Sequence, residues 1–228
     1  MTFARKSDWF VPVLLILLSL VPAAAGTRRV IELAGSATIT ASNARFVTAP
    51  LPVVLHVIAA IPFTILGAFQ FSPGLRRRRR EWHRAAGRIL VVLGIVVALS
   101  GLWMARFYAW PAGDGELLFL LRLVFGSAMA ISIVCAVNAI RRRDFVSHGA
   151  WMMRAYAIGL GAGTQVLTHV PWFILVGRPG EVTRAVLMGA GWVINLVVAE
   201  WIIRKEPARG LNVPFPSPSI APPIPEGI

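Results

Sequence analysis

The chain has 228 residues, of which 57% are hydrophobic and 14% charged, with a formal net charge of +13. It is too apolar for a soluble domain of this length. Its cations fall between the apolar stretches, where lipid headgroups account for them and a nucleic-acid surface does not. Cys135 is the single cysteine, which excludes intrachain disulfides, thiolate metal clusters and haem attachment through C-x-x-C-H.

Uncharged stretches occupy residues 9–26, 47–75, 89–105, 123–140, 155–177 and 185–199. Alone or with its flanks, each reaches the ~20 residues a helix needs to cross ~30 Å of hydrocarbon. Residues 1–26 hold the first transmembrane helix. Arg5, Lys6, the apolar run and Ala23-Ala24-Ala25 also fit a cleavable secretory signal, but the length of the run favours a retained helix. Residues 27–48, rich in Ala, Ser and Thr, form an outer loop, and 49–204 form a five-helix membrane core. Residues 205–228, with six prolines between Pro214 and Pro225, form a disordered cytoplasmic tail. The predicted fold is all-α, an integral membrane helical bundle of six transmembrane helices.

The junctions between the stretches differ in charge. Arg5, Lys6, Arg76, Arg77, Arg78, Arg79, Arg80, Arg84, Arg88, Arg141, Arg142, Arg143, Arg204, Lys205 and Arg209 fall on one side. Arg28, Arg29, Arg45, Arg106, Arg178 and Arg184 fall on the other. Because the Lys/Arg bias of short loops sets orientation, both termini are expected to be cytoplasmic, in a cell (inner) membrane. Arg76, Arg77, Arg78, Arg79 and Arg80 then meet anionic lipid headgroups.

Function has to come from polar groups that a bilayer makes expensive. All four histidines lie in or beside the spans. His56 sits about 9 Å, and His169 about 12 Å, below the outer surface by helical rise. His83 and His148 stand at the cytoplasmic ends of the third and fifth spans. A b-type haem needs two imidazoles at matched depth on different helices, with small residues beside them. Gly87 and Gly149 supply those next to His83 and His148. The four histidines are therefore candidate ligands for haem b, the inner pair first and His56 with His169 second. On one straight helix His148 and His169 are about 31 Å apart, a long path between two haems. The competing reading is that the histidines only pack and hydrogen-bond.

Other intramembrane polar residues are Arg154, Glu200, Gln70, Asn138, Gln165 and Asn195. Arg154 and Glu200 are expected to pair, since each alone is costly in lipid. The amides are expected to bridge helices. Gly159 and Gly163 form a G-x-x-x-G pair that serves close helix packing inside the bundle, with contact to a membrane-protein partner or a homodimer as its other use.

The strings Leu55-His56 … Gly67-Ala-Phe-Gln70-Phe71, His83-Arg84-Ala-Ala-Gly87-Arg88, His148-Gly-Ala-Trp151-Met152-Met-Arg154-Ala-Tyr156-Ala157 and Gly191-Trp-Val-Ile-Asn195 resemble a bacterial family of predicted membrane proteins, domain of unknown function 2306. The likeness runs from about Pro50 to Arg204 and implies a multi-helix membrane protein without implying an activity. His169 lies outside these strings. Two function classes follow: a haem-binding transmembrane electron-transfer protein, and a non-catalytic accessory subunit or small-solute transporter with structural histidines.

Overall fold

The computed structural model describes residues 7–35 and 38–210. Among the described residues every regular element is a helix: α1 Ser7–Ala34, α2 Ala44–Thr48, α3 Pro50–Gln70, α4 Pro73–Arg78, α5 Arg80–Phe107, α6 Glu116–Arg141, α7 Phe145–Gly159, α8 Gly161–Leu175 and α9 Glu181–Gly210. Five of them, α1, α3, α5, α6 and α9, are each long and apolar enough to cross a bilayer. α7 and α8, bent by 41° at their junction, are long and apolar enough together to count as a sixth span if the pair is one broken crossing.

The outer surface of the bundle is apolar, with Leu17, Leu20, Val92, Leu99, Ile131 and Val193 exposed. Water would penalise such a surface and hydrocarbon does not. Inside, Phe63, Leu90, Met129, Ile133, Ala155 and Tyr156 form a close-packed core between α3, α5, α6 and α7. α3 opens on Pro50 and Pro52, where a missing N–H costs nothing because the first turn has no intrahelical acceptor for it. After Phe71 the chain turns, and the Ser72 Oγ accepts from the Leu75 N–H at 3.3 Å to start α4. Arg76, Arg77, Arg78, Arg79 and Arg80 are all exposed there.

The two ends of the bundle are tied separately. At one, the Tyr108 hydroxyl donates to the Ala49 carbonyl at 2.6 Å, and Arg184 reaches Asp114 at 2.7 Å. This joins the approach to α3, the α5–α6 turn and the start of α9. At the other, Trp9 packs edge-on against Phe69, and Phe69 against Trp82, joining α1, α3 and α5 beside the arginine-rich turn.

Four boundaries differ from the expectation. The loop over 27–48 is partly helical: α1 runs on to Ala34, and α2 follows. An Arg29–Glu32 ion pair of 2.7 Å supports the extension, because charge ends a hydrocarbon span without ending a helix. The span over 47–75 narrows to Pro50–Gln70, closed by its proline start and by Ser72-Pro73. The tail from 205 begins as helix, since α9 extends to Gly210; residues 211–228 lie outside the described residues.

The fourth difference bears most on function. The single fifth span is two helices that meet at Leu160. Gly159, Gly161 and Gly163 surround the break, and glycine is the weakest helix former after proline. Asn195 of α9 holds both sides of it. Its Nδ2 donates to the Ala157 carbonyl at 3.0 Å, and its Oδ1 accepts from Thr164 Oγ1 at 2.7 Å. Neighbouring helices satisfy interrupted backbone in this way inside a bilayer. A Cβ on Gly159 would lie 2.7 Å from a Phe63 ring atom, and one on Gly163 would overlap the Leu18 carbonyl of α1. Both glycines of the G-x-x-x-G pair therefore pack within the bundle.

Candidate functional site

The inner histidines stand at the starts of their helices: His83 early in α5 and His148 in the first turn of α7. His148 Nδ1 donates to the Ala136 carbonyl of α6 at 3.0 Å, which leaves the lone pair on Nε2. His83 Nδ1 is buried with no hydrogen-bond partner. A Cβ on Gly87 or on Gly149 would meet nothing within 4 Å.

The outer histidines have separate partners. His56 Nδ1 donates to the Val97 carbonyl of α5 at 3.1 Å and lies 3.0 Å from Ser100 Oγ. His169 Nδ1 donates to the Gln165 carbonyl of its own helix at 2.8 Å. The bend at Leu160 also removes the straight-helix premise behind the 31 Å spacing of His148 and His169.

Arg154 and Glu200 form a two-point ion pair, Nε to Oε1 at 2.5 Å and Nη2 to Oε2 at 3.1 Å. The guanidinium also lies over the Trp151 ring, 4.6 Å from its centroid. Gln165 Nε2 donates to the Met188 carbonyl of α9 at 3.1 Å. Gln70 Nε2 is buried without a partner, and Asn138 is exposed. Among the described residues no three His, Cys, Asp or Glu side chains converge to hold a metal ion.

The feature the sequence did not reveal is a cavity of about 330 Å³ at the end of the bundle opposite the arginine-rich turn. That volume falls at the lower end of the ~300–1,000 Å³ typical of small-molecule sites. Its mouth holds Arg45, Phe46, Tyr108, Trp110, Asp114 and Arg122. Its depth reaches Val97, ten residues or about 15 Å in from the end of α5. His56 and Gln165 are the polar groups there, and Ile158, Gly159 and Ala162 bring the α7–α8 break to its wall.

The mouth is built around one carboxylate. Asp114 has a side chain only 2% exposed; it pairs through Oδ2 with Arg122 Nη1 at 2.6 Å and through Oδ1 with Arg184 Nε at 2.7 Å. Two guanidiniums offset the cost of burying one carboxylate. Arg45 reaches the Ala109 carbonyl at 3.4 Å and lies over the Phe46 ring at 4.6 Å. Burial lowers the Arg45 pKa and the Asp114 charge opposes that, while the neighbouring Arg122, Arg29 and Arg184 add to the lowering. A guanidinium nonetheless keeps its proton at any physiological pH. One signal for this site was present in the sequence: Arg122 interrupts an apolar run, which marks an intramembrane ion.

Comparison with known proteins places the chain in a family without adding an activity. No curated protein and no solved structure matches it. The match to the family described as "Predicted membrane protein (DUF2306)" spans residues 53–203, taking in α4 to α8 whole and most of α3 and α9. Both His83 and His148 fall inside it, as do the cavity residues Asp114, Arg122 and Gly159, whereas α1 and Arg45 precede it. The chain belongs to the DUF2306 family of predicted membrane proteins.

Proposed function

We propose that this is a non-catalytic carrier-type membrane protein that takes a small amphipathic molecule into the cavity beside the broken helix. The observation that carries the reading is the meeting of cavity and break: Ile158, Gly159 and Ala162 line the space. Interrupted membrane helices typically form substrate sites, because they expose backbone polarity only where it faces a cavity. Its polar mouth and apolar depth match a molecule with a polar head and a hydrocarbon body. The charge bias of the loops orients the mouth away from the cytoplasm, with both termini inside.

The test is equilibrium binding of radiolabelled dodecanol and dodecyl phosphate to purified protein in phosphatidylcholine nanodiscs, above an empty-disc background. Gly101 borders the cavity floor, and a Cβ there would lie 3.5 Å from His56 Cε1. Gly101→Leu therefore fills the space, and it should abolish binding of whichever probe binds. If neither probe binds, or the filled variant binds as wild type does, the reading fails.

A second reading is favoured by the inner histidines: a b-type haem between His83 and His148. It draws on the place of both rings at the starts of α5 and α7, the partnerless His83 Nδ1 and the open space at Gly87 and Gly149. Haem bound there supplies one-electron transfer; the protein's part is to fix His148 through Ala136 and to present both rings. Protein made with ample haem should then show an intense Soret band and an α band that sharpens on dithionite reduction. His83→Ala and His148→Ala should each remove the same centre, and a featureless spectrum ends this reading.

A further inference from the structure

We propose that the head group recognised at the cavity mouth is anionic, held by the guanidiniums of Arg45 and Arg122, so that the ligand is an amphiphile with a phosphate- or carboxylate-type head. The proposal rests on the cavity reading above and specifies its ligand. Charge at the mouth is the reason. Arg45, Arg122, Asp114 and the Tyr108 phenol, which donates to the Ala49 carbonyl, are the ionisable groups lining it other than the deeper His56, and Arg184 stands behind them on Asp114. Asp114 thus makes ion pairs with Arg122 and Arg184 and reaches Arg45 only through its charge, and its Oδ2, though close to Arg122, makes no well-formed hydrogen bond.

Arg45 is left over. Among the described residues it has no carboxylate at ion-pair distance, and its one hydrogen bond is a long one to Ala109. Neighbouring acids are otherwise placed: Glu32 is engaged by Arg29 and by Asn43 Nδ2, each at 2.7 Å. Glu181 packs against the Gly115 backbone and does not line the cavity. A partly desolvated cation with no ion pair of its own, beside a carboxylate shared by two other guanidiniums, attracts an anion more strongly than it would in bulk water. Its position over the Phe46 ring restrains the planar guanidinium for recognition of an oxyanion.

Below the guanidiniums the wall turns apolar at Met104, Val97, Met129 and Trp192. A free inorganic anion gains nothing from that depth, whereas a hydrocarbon chain gains with each Å² it buries. His56 and Gln165 are hydrogen-bonding groups at the far end, engaged with the Val97 and Met188 carbonyls.

The experiment compares dodecyl phosphate, dodecanol and inorganic phosphate on the protein in phosphatidylcholine nanodiscs. Dodecyl phosphate should bind at least about tenfold more tightly than dodecanol, as a charge-assisted pair implies. Inorganic phosphate should bind more weakly still. Arg45→Gln should erase the preference for dodecyl phosphate while leaving dodecanol binding intact, and Arg45→Lys should keep most of it, which separates loss of charge from loss of fold. Equal binding of dodecanol and dodecyl phosphate to wild type overturns the anionic head and leaves the cavity reading standing. A preference unchanged in Arg45→Gln overturns the role of Arg45. Inorganic phosphate binding as tightly as dodecyl phosphate makes the ligand a free anion and overturns the amphiphile. Binding by none of the three overturns this inference together with the cavity reading.

Discussion

At the scale of single residues, the charges Arg154 and Glu200 inside the bundle are paired with one another. Arg154 and Glu200 make a two-point pair between α7 and α9, and cutting either side leaves the other ion in lipid. Glu200→Ala should cost about 1–3 kcal/mol, the range for losing a hydrogen bond to a charged group, read as a lower melting temperature in detergent. Adding Arg154→Ala should cost less than the sum of the two single changes, since it removes the stranded charge. Additive losses would mean that the two side chains do not act as a pair. Glycine makes a second prediction. Gly163→Ala should destabilise by about 1–3 kcal/mol, because its methyl overlaps the Leu18 carbonyl. Gly87→Ala meets nothing and should be tolerated. The Arg154–Glu200 pair was legible in the sequence because an ion in a span demands a partner. The Asp114 cluster was not. Asp114 and Arg45 sit in connecting segments, where charge is ordinary, and only the fold brings them to Arg122 and Arg184.

At the scale of elements, span existence was readable and span continuity was not. Length and hydropathy report how much chain fits in hydrocarbon, and α7 with α8 satisfies that sum despite its bend. The break depends on Asn195, which sits on a different helix and looked like any interhelical bridge. Asn195→Leu should leave the Ala157 carbonyl and the Thr164 hydroxyl without their partner. It should lower stability by about 1–2 kcal/mol and weaken ligand binding in the cavity. Unchanged stability and binding would show that the break holds itself. The start of α7 gives a pH-dependent prediction. Asp144 Oδ1 accepts from the Ser147 N–H at 2.9 Å, and the hydrogen bonds from Ser147 hold its carboxyl below the usual carboxylate range. A carboxyl depressed in the folded state stabilises above its unfolded pKa of about 4, and that contribution is lost as pH falls through the lower folded value. Asp144→Asn keeps a capping oxygen without the charge, so melting curves of variant and wild type should converge on acidification below about pH 4. A gap that stays constant across that window would contradict the assignment.

At the scale of the whole molecule, alternating basic and less basic junctions foretold which helix ends lie together. The ties at each end agree: Tyr108 with Ala49 and Arg184 with Asp114 at one, Trp9, Phe69 and Trp82 at the other. Matched depth was a poor guide to contact for His56 and His169. Depth along two helices says nothing about which face each ring occupies, and His56 faces α5 while His169 folds back on its own helix. The orientation proposed from charge bias predicts that a reporter fused after Gly113 is active only outside the cytoplasm.

The central claim is a ligand cavity reached from the face opposite the arginine-rich turn, and one cysteine reports on it. Gly101→Cys in a Cys135→Ala background places the only thiol on the cavity wall beside His56. A membrane-impermeant maleimide should label it in right-side-out vesicles and not in inverted ones, and dodecyl phosphate should slow the labelling. Labelling from the inverted side alone, or a thiol that reacts from neither side while the protein remains folded, would contradict the account.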